Sequence, residues 1–381
     1  IEVLNALRDR RPELQILVRT PAQRWVFDLT LRRPVQFEPT ETDTGIVQID
    51  SLHLDVFESV RRAAGFYRDL DQRAGAEAAR LRQADARLVV ADIPPLAFRA
   101  AAMAAVPAVA FGNFTWDWIY EGYPETPGIA PGLVPTLRKA YETAALALRL
   151  PMHAGCASIR AIRDIPLVAR HSRRDPAEVR SALGLPADRR LALLSFGGHG
   201  LQGLDLDRID ARGEYMLLTT GHVVPDQPGR SGTGTPAGVA STDRPGVPDI
   251  SFGTGSPCVV HGDSVRIDER GLYDAGLRYE DVVAAVDVVI TKPGYGIIAE
   301  CVANDTAMLY TSRGRFVEYD VLVERLPRIV RSRFISQDDL YAGRWRAHLE
   351  AVLAQPPAPE HPATNGAEIA AEVILEMLDR L

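Results

Sequence analysis

The chain has 381 residues, is 46% hydrophobic, and carries a net charge of −7 with a pI near 5.7. That length is generous for one compact core and fits two domains, while the acidic balance argues against a nucleic-acid surface, which would be basic. No apolar run reaches the roughly 18 residues of a membrane span, and Cys156, Cys258 and Cys301 are scattered, odd in number and outside metal-ligand spacing, so a cytoplasmic protein with no disulfide framework and no metal is expected.

Ile1, Leu4 and Leu7 fall at helical spacing and predict a helix over residues 1–9. An α/β domain normally opens with a strand, so a strand and its following loop are expected to precede Ile1. Strands are predicted at 14–18, 35–37, 87–90 and 108–111, and helices at 55–61, 74–83, 96–104 and 133–148. The alternation implies a mostly parallel sheet wrapped by helices. Asp92 ends one of these strands and points at the expected cleft, or caps the next helix. The segment from Asn113 to Tyr123 holds two of the four tryptophans and follows a strand's carboxyl end, where open α/β sheets bind ligands. Asn113, Trp116 and Tyr120 are therefore ligand-binding candidates, and Asp117 a candidate base, weighed against core and helix-cap roles.

The second half opens near Arg170. Arg170 to Arg174 read as a solvated linker from which Arg170 could reach a phosphate. Asp175-Pro176-Ala177-Glu178 reads as a helix start with an N-cap, proline at N1 and a glutamate in the first turn. A strand at 191–196 leads into Gly197-Gly198-His199-Gly200, where His199 could contact phosphate or act as a base near neutral pH. A strand follows at 215–219, and residues 221–263 read as a long flexible insertion rich in Gly, Pro, Ser and Thr. Residues 287–290 are a buried strand ending at Thr291-Lys292-Pro293-Gly294-Tyr295-Gly296, with a helix from about Ile297. That turn sets free backbone N–H groups and a helix N-terminus at the carboxyl end of a parallel strand, an anion site suited to phosphate. Lys292 is one of only two lysines among 43 basic residues. A strand at 308–311, a helix at 318–324, a proline-rich linker at 355–361 and a final amphipathic helix at 367–381 complete the chain.

These features together resemble the GT-B glycosyltransferase superfamily, two Rossmann-like domains facing each other across a cleft. Lys292-Pro293-Gly294-Tyr295-Gly296-Ile297-Ile298-Ala299-Glu300 aligns with its donor loop, His-Gly-Gly-x-Gly-Thr-x-x-Glu. Over almost the whole chain the sequence is similar to the N-terminal glycosyltransferase-like domain of plant L-arabinokinases. The stretches that carry this are 43–50, 113–120, 164–170, Phe196-Gly197-Gly198, and Gly294-Tyr295-Gly296 with Glu300; no kinase motif accompanies them. The resemblance implies an N-terminal acceptor domain at 1–165, a C-terminal donor domain at 166–360 and a helix at 361–381. It implies metal-independent transfer of a sugar from a nucleotide-sugar, such as a UDP-sugar, to an acceptor, with no cofactor beyond that substrate. By position, Gly294, Tyr295 and Gly296 would approach the donor diphosphate, Glu300 the ribose, Gly197 and Gly198 the opposite wall, and Glu318 the sugar. Lys292 stands where the superfamily has histidine, Ile297 where it has threonine, and Tyr319 where it has glutamine; Lys292 would supply phosphate with a point charge.

Other classes share parts of this pattern. A nucleotide-sugar epimerase or hydrolase would keep the donor site, and a non-catalytic binding module would keep the fold. Gly294-Tyr295-Gly296-Ile297-Ile298-Ala299 also satisfies a dinucleotide fingerprint, but the next strand ends in Thr311-Ser312-Arg313 without a ribose-binding acid.

Overall fold

The structure is a computed structural model that describes residues 1–197, 201, 203–220 and 257–381. Among them, β1 (Leu17–Thr20) and β2 (Gln36–Pro39) form a small parallel pair. Four parallel strands follow in sheet order: β3 (Val89–Ala91), β4 (Ala108–Gly112), β5 (Leu146–Arg149) and β6 (Ile162–Asp164). The second half holds β7 (Arg190–Ser195), β8 (Tyr215–Thr220), β9 (Cys258–His261), β10 (Ser264–Ile267), β11 (Val288–Thr291), β12 (Ala307–Tyr310) and β13 (Ser332–Phe334). They form one sheet in the order β13-β12-β11-β7-β8-β10-β9, parallel except for the β9–β10 pair.

The period-two rule explains both layers around the larger sheet. Leu191 and Leu193 of β7 and Val289 of β11 enter one buried cluster, while Ala192, Leu194, Val288 and Ile290 enter the cluster on the other face. Sheets covered on both faces need such continuous apolar strands. In the smaller sheet Ala108 and Ala110 pack beneath the helices Val56–Arg68 and Pro95–Ala104, and Val109 points the other way. On that second face the final helix, Gly366–Asp379, packs against Val109, Leu148 and Ile165 and against the first helix, Glu2–Arg10. The chain's last element therefore returns to its first half, as its apolar stripe requires.

Two expectations are corrected by the structure. The helix predicted at 133–148 stops at Tyr141, and Leu146–Arg149 is a strand, because pairing with β4 overrides the helical preference of the Ala-Leu run. The stretch assigned to an insertion ends in ordered structure, since Cys258–His261 pairs with Ser264–Ile267; residues 221–256 lie outside the described residues. Residues 116–121 form a short helix, Trp116–Glu121.

The two halves meet along a seam beside the carboxyl ends of β3, β4 and β11. Ser51 donates to the Phe196 carbonyl at 2.5 Å, and Leu52 is buried within the apolar cluster of the second half. Arg315 pairs with Glu125 through two contacts of 2.8 Å. Gly122 faces Val317 so closely that a Cβ would lie 2.6 Å from Val317 Cγ1, which leaves only glycine at this position.

Candidate functional site

β11 lies between β7 and β12, and its last residue, Thr291, pairs in register with Ser195 and Tyr310. The hydroxyl of Thr291 donates to the Ser195 carbonyl at 2.5 Å and pins the strand end. Lys292 and Pro293 then lead to Gly294, the N-cap of the helix Tyr295–Ala303, and no side chain caps that terminus. Its first N–H groups have no partner within the helix, and the helix dipole adds about half a positive charge. Among the described residues, no atom beyond the chain neighbours and the helix's own backbone lies within 4 Å of where a Cβ would stand on Gly294 or Gly296, and Gly296 is exposed. The backbone here is open to close approach by a ligand.

Lys292 is half-buried beside this terminus. Burial lowers its ammonium to about 8; the charge of Arg313 acts in the same direction and Glu318 opposes both. Among the described residues the Lys292 ammonium makes no hydrogen bond or ion pair, whereas Arg313 pairs with Glu318 at 3.2 Å and stacks 3.6 Å over the Phe316 ring. One cation is therefore left for an incoming anion.

The first half presents a second set of groups to the same seam. Phe114 stacks on Tyr295, with ring centroids 6.2 Å apart, and lies edge-on to Trp116 at 5.4 Å. Trp116 donates through Nε1 to Asp43 at 3.3 Å, and Gly45 N donates to the same carboxylate at 3.1 Å. Asp92 lies within electrostatic reach of Asp43, against Gly112 at the end of β4. Its side chain opens to solvent yet is walled by protein, and that enclosure pushes its carboxyl up to about 6; the Ile1 ammonium opposes the shift and Asp43 adds to it. The contacts from Asp43 through Trp116 and Phe114 to Tyr295 thus join an acid of perturbed pKa to the uncapped helix terminus.

The remaining expected residues are placed as follows. Gly197 sits at the end of β7 with φ +74°, a left-handed conformation that favours glycine, and faces open space. Gly198 and His199 lie outside the described residues. Asn113 is buried and donates to the Pro151 carbonyl at 2.6 Å, bracing a loop. Tyr120 is 1% exposed and donates to the Gly45 carbonyl at 3.1 Å, so its position is a core one rather than an acceptor contact. Asp117 is 4% exposed; its carboxylate accepts from Ser158 at 3.0 Å and lies 3.6 Å from Arg138. This enclosure makes it unsuited to meet an acceptor. Glu300 does not stand free either: it is 5% exposed and accepts two hydrogen bonds from Arg170. Arg170 is accordingly not a solvated linker residue. Asp43 lies in the stretch 43–50 that carries the resemblance without being singled out within it, and nothing in the sequence marks Arg313 apart from its neighbours.

No protein-family model matches the chain. Its fold is that of the GT-B glycosyltransferases. Glycosyltransferase VinC in complex with dTDP superimposes with a TM-score of 0.52 and 13% identity, covering 100% of this chain and 92% of that one. The Arabidopsis thaliana protein UGT89C1 complexed with UDP gives 0.52 and 13%, covering 99% and 90%. The calicheamicin glycosyltransferase CalG4 gives 0.51 and 14%, covering 100% and 92%. In sequence the chain is similar to L-arabinokinase of Arabidopsis thaliana, 27% identical over 369 residues, or 94% of this chain. It spans 31% of that protein's length. Among the described residues no helix is long and apolar enough to cross a membrane.

Lys292 yields the first expected result. If it meets phosphate through a charge-assisted contact, Lys292→Ala weakens nucleoside diphosphate binding by about 1.5–3 kcal/mol, measured by calorimetry. Because its free ammonium titrates near 8 and must be charged to bind, wild-type affinity falls as pH rises above about 8, and that fall is absent in the variant.

Proposed function

We propose that the chain transfers a glycosyl group from a nucleotide-sugar donor to an acceptor hydroxyl. The observation that carries this reading is the uncapped helix terminus at Gly294, open among the described residues in front of Gly294 and Gly296, with the Lys292 ammonium, unpaired among those residues, on one side and Asp92 across the seam. The helix N–H groups and Lys292 stabilise the departing nucleoside diphosphate, where negative charge develops. The resemblance assigns Glu318, which pairs with Arg313, to the sugar.

Asp92 takes the role of base in place of Asp117. A base acts best with a pKa near the working pH, and burial has brought Asp92 towards that range. Asp43, oriented by Trp116 and Gly45, keeps a second negative charge nearby and so favours proton uptake by Asp92. Phe114 and Trp116 offer ring surfaces beside this pair on which an acceptor can stack.

The test is to incubate the protein with UDP-, dTDP-, GDP- and ADP-sugars, with and without a library of hydroxylated acceptors, and to follow nucleoside diphosphate release. Acceptor-dependent release supports transfer. Free sugar or an epimer formed without acceptor indicates the hydrolase or epimerase reading, and binding without turnover indicates a binding module.

A further inference from the structure

The geometry points to Arg170 as a positioning residue that holds the Glu300 carboxylate ionised and aimed at the nucleoside part of the donor; this rests on the donor-site reading above. Arg170 stands in the segment joining the two halves, between β6 and the helix Pro176–Ala182. Its Nε donates to Glu300 Oε1 at 2.7 Å, and its Nη2 donates to the same oxygen. Nη1 lies 3.6 Å from Glu280, and the guanidinium stands 5.5 Å over the Tyr279 ring. The main chain is fixed as firmly: Asn304 donates to the Arg170 carbonyl at 3.0 Å and accepts from Ser172 N at 2.9 Å. Ser172 in turn donates to Asp281 at 2.8 Å. A joining segment tied down in this way delivers its arginine in one orientation.

Both Arg170 bonds fall on a single oxygen of Glu300, and among the described residues Oε2 accepts none. Glu300 lies five residues beyond the first residue of the helix Tyr295–Ala303, about 7.5 Å along its axis. A diphosphate on the helix terminus therefore leaves its sugar-linked nucleoside lying along the helix towards Oε2. That oxygen accepts from ribose hydroxyls most strongly when the carboxylate is charged and correctly turned. Burial pushes the Glu300 carboxyl up, and Arg170 pulls it down by charge and hydrogen bonding. The other charged groups facing it, Glu280 from the preceding helix and Glu2 from the first helix, both raise it. Arg170 is thus, of these three groups, the one that favours the ionised form.

The test is calorimetry on wild type, Arg170→Gln, Arg170→Lys and Glu300→Gln between about pH 5.5 and 7.5. The ligands are inorganic pyrophosphate and whichever of UDP, dTDP, GDP and ADP binds wild type most tightly. Arg170→Gln is expected to lower nucleotide affinity at least tenfold and leave pyrophosphate affinity within about twofold. Its residual nucleotide affinity should rise with pH, because Glu300 without its cation ionises later; wild type shows this fall only at lower pH. Glu300→Gln should show a similar loss with no such pH dependence, and it serves as the readout if Arg170→Gln does not fold. Arg170→Lys should restore the wild-type profile in part. Equal losses for pyrophosphate and nucleotide, or full nucleotide affinity in Glu300→Gln, would overturn the role. If wild type binds none of the nucleotides, the donor-site reading itself fails.

Discussion

Gly296→Val is expected to abolish nucleoside diphosphate binding while leaving the fold intact. Gly296 lies in the first turn of the helix Tyr295–Ala303, and among the described residues no atom beyond its neighbours and its own helix backbone comes within 4 Å of a Cβ there. The substitution therefore meets no described residue outside its own helix, and valine costs a helix no more than glycine does. Thermal unfolding without ligand should change little. The two methyl groups instead fill the space through which a diphosphate would reach the free N–H groups. A ligand at 100 times its dissociation constant stabilises wild type by about 2.7 kcal/mol, and the variant should gain none of it. Unchanged affinity in calorimetry would remove this loop from the site.

Asp92→Asn is expected to lower kcat by roughly 10²–10⁴-fold, the contribution of a positioned general base. Nucleotide affinity should stay near wild type, because the carboxylate belongs to the opposite wall of the seam. The wild-type pH profile follows from the raised carboxyl. The base works only when ionised, so kcat/KM should fall as pH drops through about 6 and level off between about 6 and 8, above which loss of the Lys292 charge lowers it again. Asp117→Asn provides the contrast: its carboxylate is held by Ser158 and Arg138, so the change should act on stability more than on turnover. If Asp92→Asn keeps full activity and Asp117→Asn loses it, the base has been assigned to the wrong residue.

The donor half was the more legible one in the sequence. β11 is all apolar up to Thr291, and the glycines that follow admit few other readings, so the strand, turn and helix fell within two residues of their places. The first half was harder. Trp116, Asp117 and Tyr120 look alike as polar or aromatic residues after a strand, but a short helix turns Asp117 and Tyr120 inward and leaves Trp116 half-buried at the seam. Which of three neighbours faces a ligand depends on a helical phase that so short an element does not declare. Asp92 was visible as a strand-end acid, yet its raised pKa depends on burial and on Asp43, which is 49 positions away in the chain. The Arg170–Glu300 pair spans 130 residues, and no local pattern marks it. Both are products of tertiary packing, which sequence periodicity does not report.

The measurement that bears most directly on the donor site is a thermal-shift series with UDP, dTDP, GDP, ADP, NAD and NADP, run beside Gly296→Val. Selective stabilisation by one nucleoside diphosphate, lost in the valine variant, is the expected result and names the donors to try next. Stabilisation by NAD or NADP alone, or by none of the six, contradicts a nucleotide-sugar site at Gly294 and Gly296.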